Sequence, residues 1–182
     1  MRGILVGIAI LTLGGCASLE PPSTVAARAV TVDPARFYTG TWYEIGRRPM
    51  WLTNGCVAGG TTYTLEGEAR VRVLDFCHQG SPAGARKTIG GAARITDPGN
   101  FARLHVGYRL FGFVPVPRDY WVQEHADDYS WFISADPTFH DLWIYTRSPA
   151  PSPELVKLLT DKARALGYDT SLLEFPQPGQ GE

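Results

Sequence analysis

The sequence predicts an all-β domain: an eight-stranded antiparallel up-and-down barrel, with one α-helix packed outside it near the C-terminus. Three observations favour this fold. Short strand-like segments recur with turn residues between them, one segment alternates clearly between apolar and polar residues, and a well-capped amphipathic helix follows the last strand. Eight strands of this length can close on themselves and leave room for one small ligand. A two-sheet sandwich is the alternative fold.

The chain begins with a segment typical of a secretory signal peptide, assigned to residues 1–15. Arg2 precedes an apolar run at 4–11 that is too short to span a bilayer as a helix. The run leads to Leu13-Gly14-Gly15-Cys16, which resembles the lipobox of bacterial lipoproteins, where the cysteine sulfur receives a diacylglyceryl group. We therefore expect Cys16 to carry acyl chains such as palmitate, which would give stable membrane anchoring. An ordinary signal peptide that happens to contain a cysteine is the alternative.

Residues 16–33 form a short stretch that contains Pro21-Pro22 and precedes the first strand signal, so we interpret them as the lipidated cysteine and a tether. Fully extended, about 17 residues cover roughly 55 to 60 Å, which exceeds the height of a small barrel. Residues 34–176 form the predicted domain, and residues 177–182 a short tail. The formal net charge of −1 and the lack of a basic run make nucleic acid an unexpected partner.

Eight strands are predicted, with the clearest alternation in the fifth. Leu104, Val106 and Tyr108 share its apolar face, while Arg103 and His105 lie on the other. The predicted strands are residues 42–48, 56–65, 70–78, 86–95, 102–110, 119–125, 129–135 and 141–147.

Once Cys16 is set aside, Cys56 and Cys77 remain as a pair in an oxidising compartment, which predicts a disulfide. A zinc site is the alternative, but no histidine stands at ligand spacing. The turn between their strands is predicted at 66–69. A two-residue loop at Glu66-Gly67 would place the cysteines directly opposite each other, and a four-residue loop would make them diagonal neighbours. Either register allows the bridge.

After the strands, residues from 152 onward carry the signals of a helix. Ser152 can cap its N-terminus, Pro153 and Glu154 suit the first turn, and Gly167 follows the last turn. A helix lying on the membrane surface is the alternative to one packed on the barrel. The expected apolar stripe consists of Leu155, Leu158, Leu159, Ala163 and Leu166.

Three segments of the chain resemble the signatures of the lipocalins. They are Gly40-Thr41-Trp42-Tyr43-Glu44-Ile45, Asp127-Asp128-Tyr129 and residues 142–149, which contain Arg147. The resemblance implies that Gly40 turns the chain into the first strand and that Trp42 closes one end of the barrel. It also implies that Arg147 covers the Trp42 ring in a cation–π contact and that Asp128 caps amides of the same closed end. Asp127 departs from the usual threonine.

Together with the lipobox and Gly167-Tyr168-Asp169, these segments make residues 36–176 similar to the bacterial outer-membrane lipocalins. The resemblance implies a protein anchored in the outer membrane of the bacterial envelope, facing the periplasm. There it would hold or transfer fatty acids or lysophospholipids for outer-membrane maintenance. Alternatives are a structural envelope lipoprotein with a filled barrel, and a binder of haem or a bilin.

Strand positions suggest four aromatic residues as ligand contacts, although plain core residues are the alternative. These candidates are Tyr108, Tyr120, Phe132 and Trp143.

Two of the loops expected at the open end are unusually apolar. These side chains either fold over the cavity mouth or form an exposed lip that touches the bilayer and guides an acyl chain inward. Nearby arginines would then meet a phosphate or carboxylate head group. The expected open-end loops are residues 47–55, 79–86, 111–118 and 136–140. The expected mouth residues are Arg47, Arg48, Met50, Trp51, Phe111 and Phe113.

The sequence does not suggest an enzyme, a metal or a cofactor. The four histidines fall on different predicted strands or loops, and no serine or cysteine has a recognisable nucleophile setting. The oligomeric state is left open, with a homodimer among the options.

Overall fold

The structure, a computed structural model, describes residue 28 and residues 30–177 of the 182-residue chain. The predicted signal peptide, Cys16, most of the tether and most of the tail lie outside the described residues. In the part that is described, no helix is long and apolar enough to cross a membrane.

The described chain forms a closed antiparallel barrel of eight strands in sequence order. The first strand pairs with both the second and the eighth, so the sheet has no open edge between them. This closure confirms the predicted barrel and excludes the sandwich. The strands are β1 (Thr39–Arg47), β2 (Cys56–Leu65), β3 (Arg70–Gln79), β4 (Arg86–Ile95), β5 (Arg103–Leu110), β6 (Val114–His125), β7 (Trp131–Ala135) and β8 (Leu142–Thr146).

Helix α2 (Pro153–Ala165) packs against the outside of the barrel, as predicted. The Ser152 hydroxyl accepts a hydrogen bond from the Leu155 amide at 3.3 Å, and this bond satisfies one of the free amides of the first turn. Leu159 and Ala163 are fully buried in a cluster that includes Ile133 of β7. The prediction that Leu158 belongs to the buried stripe is wrong, because half of this residue is exposed.

A short helix, α1 (Pro34–Phe37), precedes the barrel at its closed end. The segment that leads into it is held there by its backbone. The Val32 amide donates to the Asn100 carbonyl at 2.9 Å, and the Asp33 amide donates to the Tyr129 hydroxyl at 2.7 Å. The chain therefore enters the described domain at the closed end.

Beneath α1, an aromatic plug fills the closed half of the barrel. We define the plug as Phe37, Tyr38, Trp42, Tyr63 and Phe132, all of which are buried. Its rings meet mainly edge to face: the Phe132 ring centroid lies 4.8 Å from that of Phe37 and 4.7 Å from that of Trp42. Such contacts stabilise beyond the area they bury. The plug confines any cavity to the open half.

Several predicted strand ends differ from the structure. The first strand begins at Thr39 and not at residue 42, and the sixth begins at Val114 and not at residue 119. The open-end loop predicted at 111–118 therefore shrinks to 111–113. Tyr129, predicted to start the seventh strand, lies in the preceding turn with a φ of 59°.

The disulfide between Cys56 and Cys77 is present, with 5.4 Å between the Cα atoms. Cys56 pairs with Gln79, and a bulge then shifts the register so that Gly59 pairs with Cys77. The two cysteines are thus diagonal neighbours, the arrangement expected for the four-residue turn. The bridge staples β2 to β3 at the open end of the barrel.

Candidate ligand cavity and closed end

At the closed end, the Arg147 guanidinium lies over the Trp42 ring, with 3.5 Å between Cζ and the ring centroid. Its Nη1 donates to the carbonyls of Thr39 and Thr41 at 2.7 and 3.0 Å, and its Nη2 donates to the Arg36 carbonyl at 3.2 Å. Burial lowers the pKa of Arg147 to about 10, so the side chain stays charged at neutral pH. One cation thus ties the start of the domain to the end of β8.

The Asp128 and Tyr129 motif also lies at this end. The Asp128 carboxylate accepts the Ser130 amide at 2.9 Å, and hydrogen bonds to Ser130 lower the pKa of Asp128. Tyr129 holds the Asp33 amide through its hydroxyl, and the Arg36 guanidinium lies 4.5 Å from its ring centroid. These contacts belong to the closed end and leave the cavity untouched.

Above the plug, the open half of the barrel encloses a cavity of about 410 Å³. This volume falls within the range of small-molecule sites. Its upper wall is mainly apolar, and its inner end is polar. The upper wall includes Met50, Leu52, Leu110 and Trp143, and the apolar Ile89 and Val116 lie lower, directly opposite Asp75 and Tyr108.

We call the inner end the cavity floor and define it as Glu44, Asp75, Tyr108, Tyr120 and Tyr145. The Tyr108 hydroxyl donates to Oδ2 of Asp75 at 2.5 Å. Asp75 lines the cavity, and burial within the barrel raises its pKa to about 6, although the bond from Tyr108 lowers it. Burial also raises the pKa of Glu44. The floor therefore places two carboxyl groups below an apolar wall.

All three nitrogens of the Arg47 guanidinium donate hydrogen bonds within the protein. Its Nε donates to Oε1 of Glu174 at 2.5 Å, its Nη2 donates to the Cys56 carbonyl at 2.7 Å, and its Nη1 donates to Glu44. The prediction that Arg47 is a mouth residue available to a head group is wrong, because its side chain is only 2% exposed.

A bulge in β1 explains this placement. The pairing of β1 with β8 shifts between Glu44 and Gly46, so that Glu44 faces Tyr145 and Arg47 faces Trp143. In a regular strand, residues three apart point to opposite faces. Glu44 shares the inward face of Trp42, two residues before it, and the extra residue after Glu44 turns Arg47 toward the same interior.

The structure brings together three of the four predicted ligand contacts. Tyr108, Tyr120 and Trp143 line the cavity, and the ring centroids of Tyr120 and Trp143 lie 4.9 Å apart. Phe132 points into the barrel as expected, but it lies lower, where it packs between Trp42 and Tyr145. Its prediction as a ligand contact is wrong, because Phe132 is part of the plug and does not line the cavity.

The other five predicted mouth residues divide into three groups. Met50 and Trp51 line the cavity entrance. Phe111 and Phe113 are 80% and 72% exposed and do not fold over the mouth. Arg48 does not line the cavity, and its side chain interacts with Tyr168 near α2, so its prediction as a mouth cation is also wrong.

Sequence reasoning missed Asp75 and Glu44. A signal for Asp75 was available, since Val71, Val73 and Asp75 alternate along one strand and the first two are buried. An acidic residue on an otherwise apolar, inward face is expensive to bury and therefore informative. A signal for Glu44 was available too, because it lies two residues after Trp42 and so shares the face of that ring, ahead of the bulge.

The described residues also offer a metal ion and a second pocket no clear role in the cavity. Among them, no three histidine, cysteine, aspartate or glutamate side chains lie close enough to hold a metal ion. A groove outside the barrel, between α2 and residues 175–177, includes Lys157, Asp161 and Arg164. It is open to solvent and lies away from the cavity.

A closed barrel with an aromatic plug at one end and a cavity at the other defines a small-ligand-binding barrel protein. Residues 32–178 match the lipocalin-like domain family. The chain belongs to this family, whose members bind small hydrophobic ligands and are generally not enzymes.

Two kinds of relatives share sequence with the chain. Temperature-induced lipocalin-1 of Arabidopsis thaliana is 35% identical over 142 residues, covering 75% of this chain and 74% of that protein. Outer membrane lipoprotein Blc of Citrobacter freundii is 29% identical over 165 residues, covering 90% of this chain and 89% of the relative. The Blc protein of Escherichia coli K12 is 28% identical over the same length.

Solved structures show the same fold. Insecticyanin from the tobacco hornworm Manduca sexta superposes with a TM-score of 0.68 at 16% identity, over 84% of each chain. A biogenic amine-binding protein superposes with a TM-score of 0.60 at 13% identity, over 86% of this chain and 90% of the other.

Proposed function

We propose that this protein is a lipid-anchored binding protein of the bacterial outer membrane that faces the periplasm. In this proposal it holds or transfers single-chain lipids, fatty acids or lysophospholipids, without chemical turnover. The observation that carries the proposal is the 410 Å³ cavity with an apolar upper wall and one open end. Each methylene group buried against such a wall contributes about 0.8 kcal/mol.

The relatives support the location. The Blc proteins, named as outer membrane lipoproteins, align with 90% of this chain, and the Leu13-Gly14-Gly15-Cys16 segment offers a site for acylation. Replacing Cys16 with serine should release the protein from the membrane fraction. A variant that stays in the outer membrane would contradict the proposed anchor.

The decisive test of binding is the identity of the co-purified molecule. The full chain should be extracted from its own membrane and analysed by native mass spectrometry and lipid analysis. We expect a fatty acid or lysophospholipid adduct at one copy per chain. A protein without adduct would favour the structural lipoprotein, and a visible absorption band would favour haem or a bilin.

We further propose that an apolar lip at the open end contacts the bilayer during lipid exchange. We define the lip as Trp51, Phe111 and Phe113, which are 68%, 80% and 72% exposed. Exposed aromatic groups of this kind usually mark an interaction surface, and tryptophan favours membrane interfaces. Trp51 lines the cavity entrance, and Phe111 and Phe113 lie in the turn between β5 and β6 at the same end of the barrel.

The backbone at Phe111 supports a role for the lip. Four non-glycine residues of the described chain have positive φ: Phe101, Phe111, Tyr129 and Phe139. Phe111 alone among these four is exposed, so packing within the protein does not compensate its strain. Strain of this kind costs on the order of 1 to 3 kcal/mol and concentrates at functional sites.

Replacing Phe111 and Phe113 together with serine tests the lip, because neither of these side chains lines the cavity. We expect slower uptake of lipid from phospholipid vesicles, with unchanged binding of a short-chain lipid supplied in solution. Leu158→Ser is the matched control, because Leu158 is half exposed on the outer helix, away from the entrance. Equal uptake by the double variant and the control would contradict the proposal.

A further inference from the structure

The cavity ends in polar groups, whereas an apolar floor would suit the methyl end of an acyl chain. We propose that the cavity floor is a subsite for a hydrogen-bond donor, a protonated amine or a hydroxyl, and that Asp75 binds it. The inference rests on the proposed function in one respect: the cavity must take up a small amphipathic molecule. It adds which chemical group reaches the inner end.

The Asp75 carboxyl group points into the cavity with acceptor positions left for a ligand. The Asp75 side chain extends from the middle of β3 into the barrel, opposite Ile89 of β4. Tyr108 supplies one hydrogen bond to Oδ2, and the hydroxyl of Thr61, paired with Asp75 across β2, is a second donor beside the carboxyl group. A carboxylate has about four acceptor positions. Further positions are therefore available to a donor that enters the cavity.

The charged side chains around the cavity floor are already paired with one another or with neighbouring groups. Arg47 is the cation nearest to Glu44, and its guanidinium also pairs with Glu174. Glu174 is 42% exposed and lies outside the cavity lining, so the floor itself holds two carboxyl groups, Glu44 and Asp75. Arg118, another cation on the cavity wall, pairs with Asp141 at 3.6 Å. Lys87, the third cation of the cavity lining, donates to Oε1 of Gln79 at 3.0 Å. Arg47 therefore offsets the charge of Glu44, and the floor keeps the negative charge of Asp75 when both carboxyl groups are ionised.

Four chemical groups of a ligand could occupy the cavity floor: a carboxylate, a methyl group, a protonated amine or a hydroxyl. A ligand carboxylate would stand beside Asp75 and Glu44 without a free guanidinium to receive it, and like charges in a low-dielectric site repel strongly. A methyl group would displace water from Asp75 without replacing its hydrogen bonds, which is costly. A protonated amine supplies both hydrogen-bond donors and a positive charge. Charge-assisted hydrogen bonds are roughly twice as strong as hydrogen bonds between neutral groups. A hydroxyl supplies a donor alone.

Within the proposed ligand class, the two lipid types would therefore bind differently. A fatty acid must keep its carboxylate at the rim, where Lys87 and Arg118 line the wall. A lysophospholipid whose head group carries an ammonium can place that group at the floor.

Three ligands with the same alkyl chain test the inference: dodecylamine, 1-dodecanol and dodecanoate. Their affinities are measured on the full chain at about pH 7.5, where the amine and the acid are both charged, by displacement of the fluorophore N-phenyl-1-naphthylamine. We expect the amine to bind about tenfold or more tighter than dodecanoate, with the alcohol between them.

Asp75→Asn keeps an acceptor for Tyr108 and removes the charge. We expect this variant to bind dodecylamine about tenfold more weakly than the wild type and to bind the alcohol within about threefold of it. Glu68→Gln is the matched control, since it removes an exposed carboxylate in the turn before β3, and its affinities should not change. Circular dichroism establishes that both variants are folded.

The outcomes separate the two proposals. Dodecanoate binding as tightly as the amine to the wild type, or an amine preference that survives in Asp75→Asn, would overturn the donor subsite and leave lipid binding intact. The wild-type ranking is informative even when the variant does not fold. Failure of all three ligands to displace the fluorophore would overturn the cavity function and this inference together.

Discussion

Asp75 affects the stability of the empty protein as well as its ligand preference. Burial raises the pKa of Asp75 from 3.8 to about 6, so the folded protein binds a proton more tightly than the unfolded chain does. Stability from this group is therefore highest below the unfolded pKa and is lost as the pH rises through about 6. A rise of about two pKa units corresponds to roughly 3 kcal/mol at neutral pH. The ionisable groups facing it are Glu44 from β1, Tyr63 from β2, Tyr108 from β5, Tyr120 from β6 and Tyr145 from β8.

Asp75→Asn should accordingly stabilise the ligand-free protein. We expect the free energy of unfolding at about pH 7.5 to rise by about 1 to 3 kcal/mol, and the gain to shrink as the pH falls toward about 4. Urea unfolding at several pH values measures this difference. Glu68→Gln should show no such trend, and a gain that does not depend on pH would contradict the raised pKa.

The sequence identified some residues of the site and not others, for physical reasons. Trp42 and Arg147 were found because each belongs to a short local motif, and they meet as expected. Arg47 could not be placed, because the bulge between Glu44 and Gly46 is set by the pairing of β1 with β8. That pairing joins strands about a hundred residues apart, and local alternation does not encode it.

The hairpin between β5 and β6 shows how an element can keep a strained residue. Phe111 and Gly112 have φ values of 54° and 81°, and the Phe113 amide closes the turn on the Leu110 carbonyl at 3.3 Å. Glycine and asparagine adopt this conformation at little cost, and a phenylalanine does not. The turn therefore sacrifices stability for an exposed aromatic ring.

Phe111→Asn should stabilise the protein and weaken its binding to vesicles. We expect the free energy of unfolding to rise by about 1 kcal/mol, because asparagine relieves the left-handed strain. We expect vesicle binding to weaken at the same time, since one ring of the lip is lost. Thermal unfolding and vesicle sedimentation measure the two effects. A destabilised variant would show that the ring packs on the protein.

Element boundaries were predicted best where side chains act locally. The helix cap at Ser152 and the alternating strand β5 appear as expected. The start of β6 was missed because Pro115 and Pro117 argue against a strand. They are tolerated because the pairing with β7 begins only at Trp121, so earlier residues of β6 have no ladder on that side to lose.

At the scale of the whole molecule, Arg147 closes the barrel. It bonds to carbonyls that precede β1 and to carbonyls within β1, and it follows directly after β8. Loss of this side chain would leave several carbonyls without their donor and expose the ring of Trp42. The contact thus joins the two ends of the sheet.

Arg147→Gln should destabilise the fold by about 2 to 4 kcal/mol. Urea unfolding followed by tryptophan fluorescence measures the change, and far-ultraviolet circular dichroism should give the same midpoint if the barrel unfolds as one unit. Arg72→Gln is the matched control. Its side chain is 69% exposed, and we expect an effect within about 0.5 kcal/mol.

The depth of the cavity was beyond sequence reasoning. Alternation tells which side chains enter the barrel, but it does not tell how far up the closed end is filled. Phe132 and Trp143 both face inward, yet one belongs to the plug and the other to the cavity wall. The difference depends on how the rings of α1, β1, β2 and β7 pack together.

Backbone bonds hold residues 32 and 33 at the closed end. They limit the length of chain that can extend between the barrel and the proposed anchor at Cys16. From Cys16 to Arg28, which pairs with Glu124 at 3.9 Å, a fully extended chain reaches about 40 Å. A barrel of ten-residue strands is roughly 25 Å tall, so the lip can still turn to the bilayer that holds the acyl chains. Tethering over such distances gives an effective concentration on the order of millimolar. A lip with only weak affinity for lipid would then touch the membrane often and release it easily, as repeated loading and unloading requires.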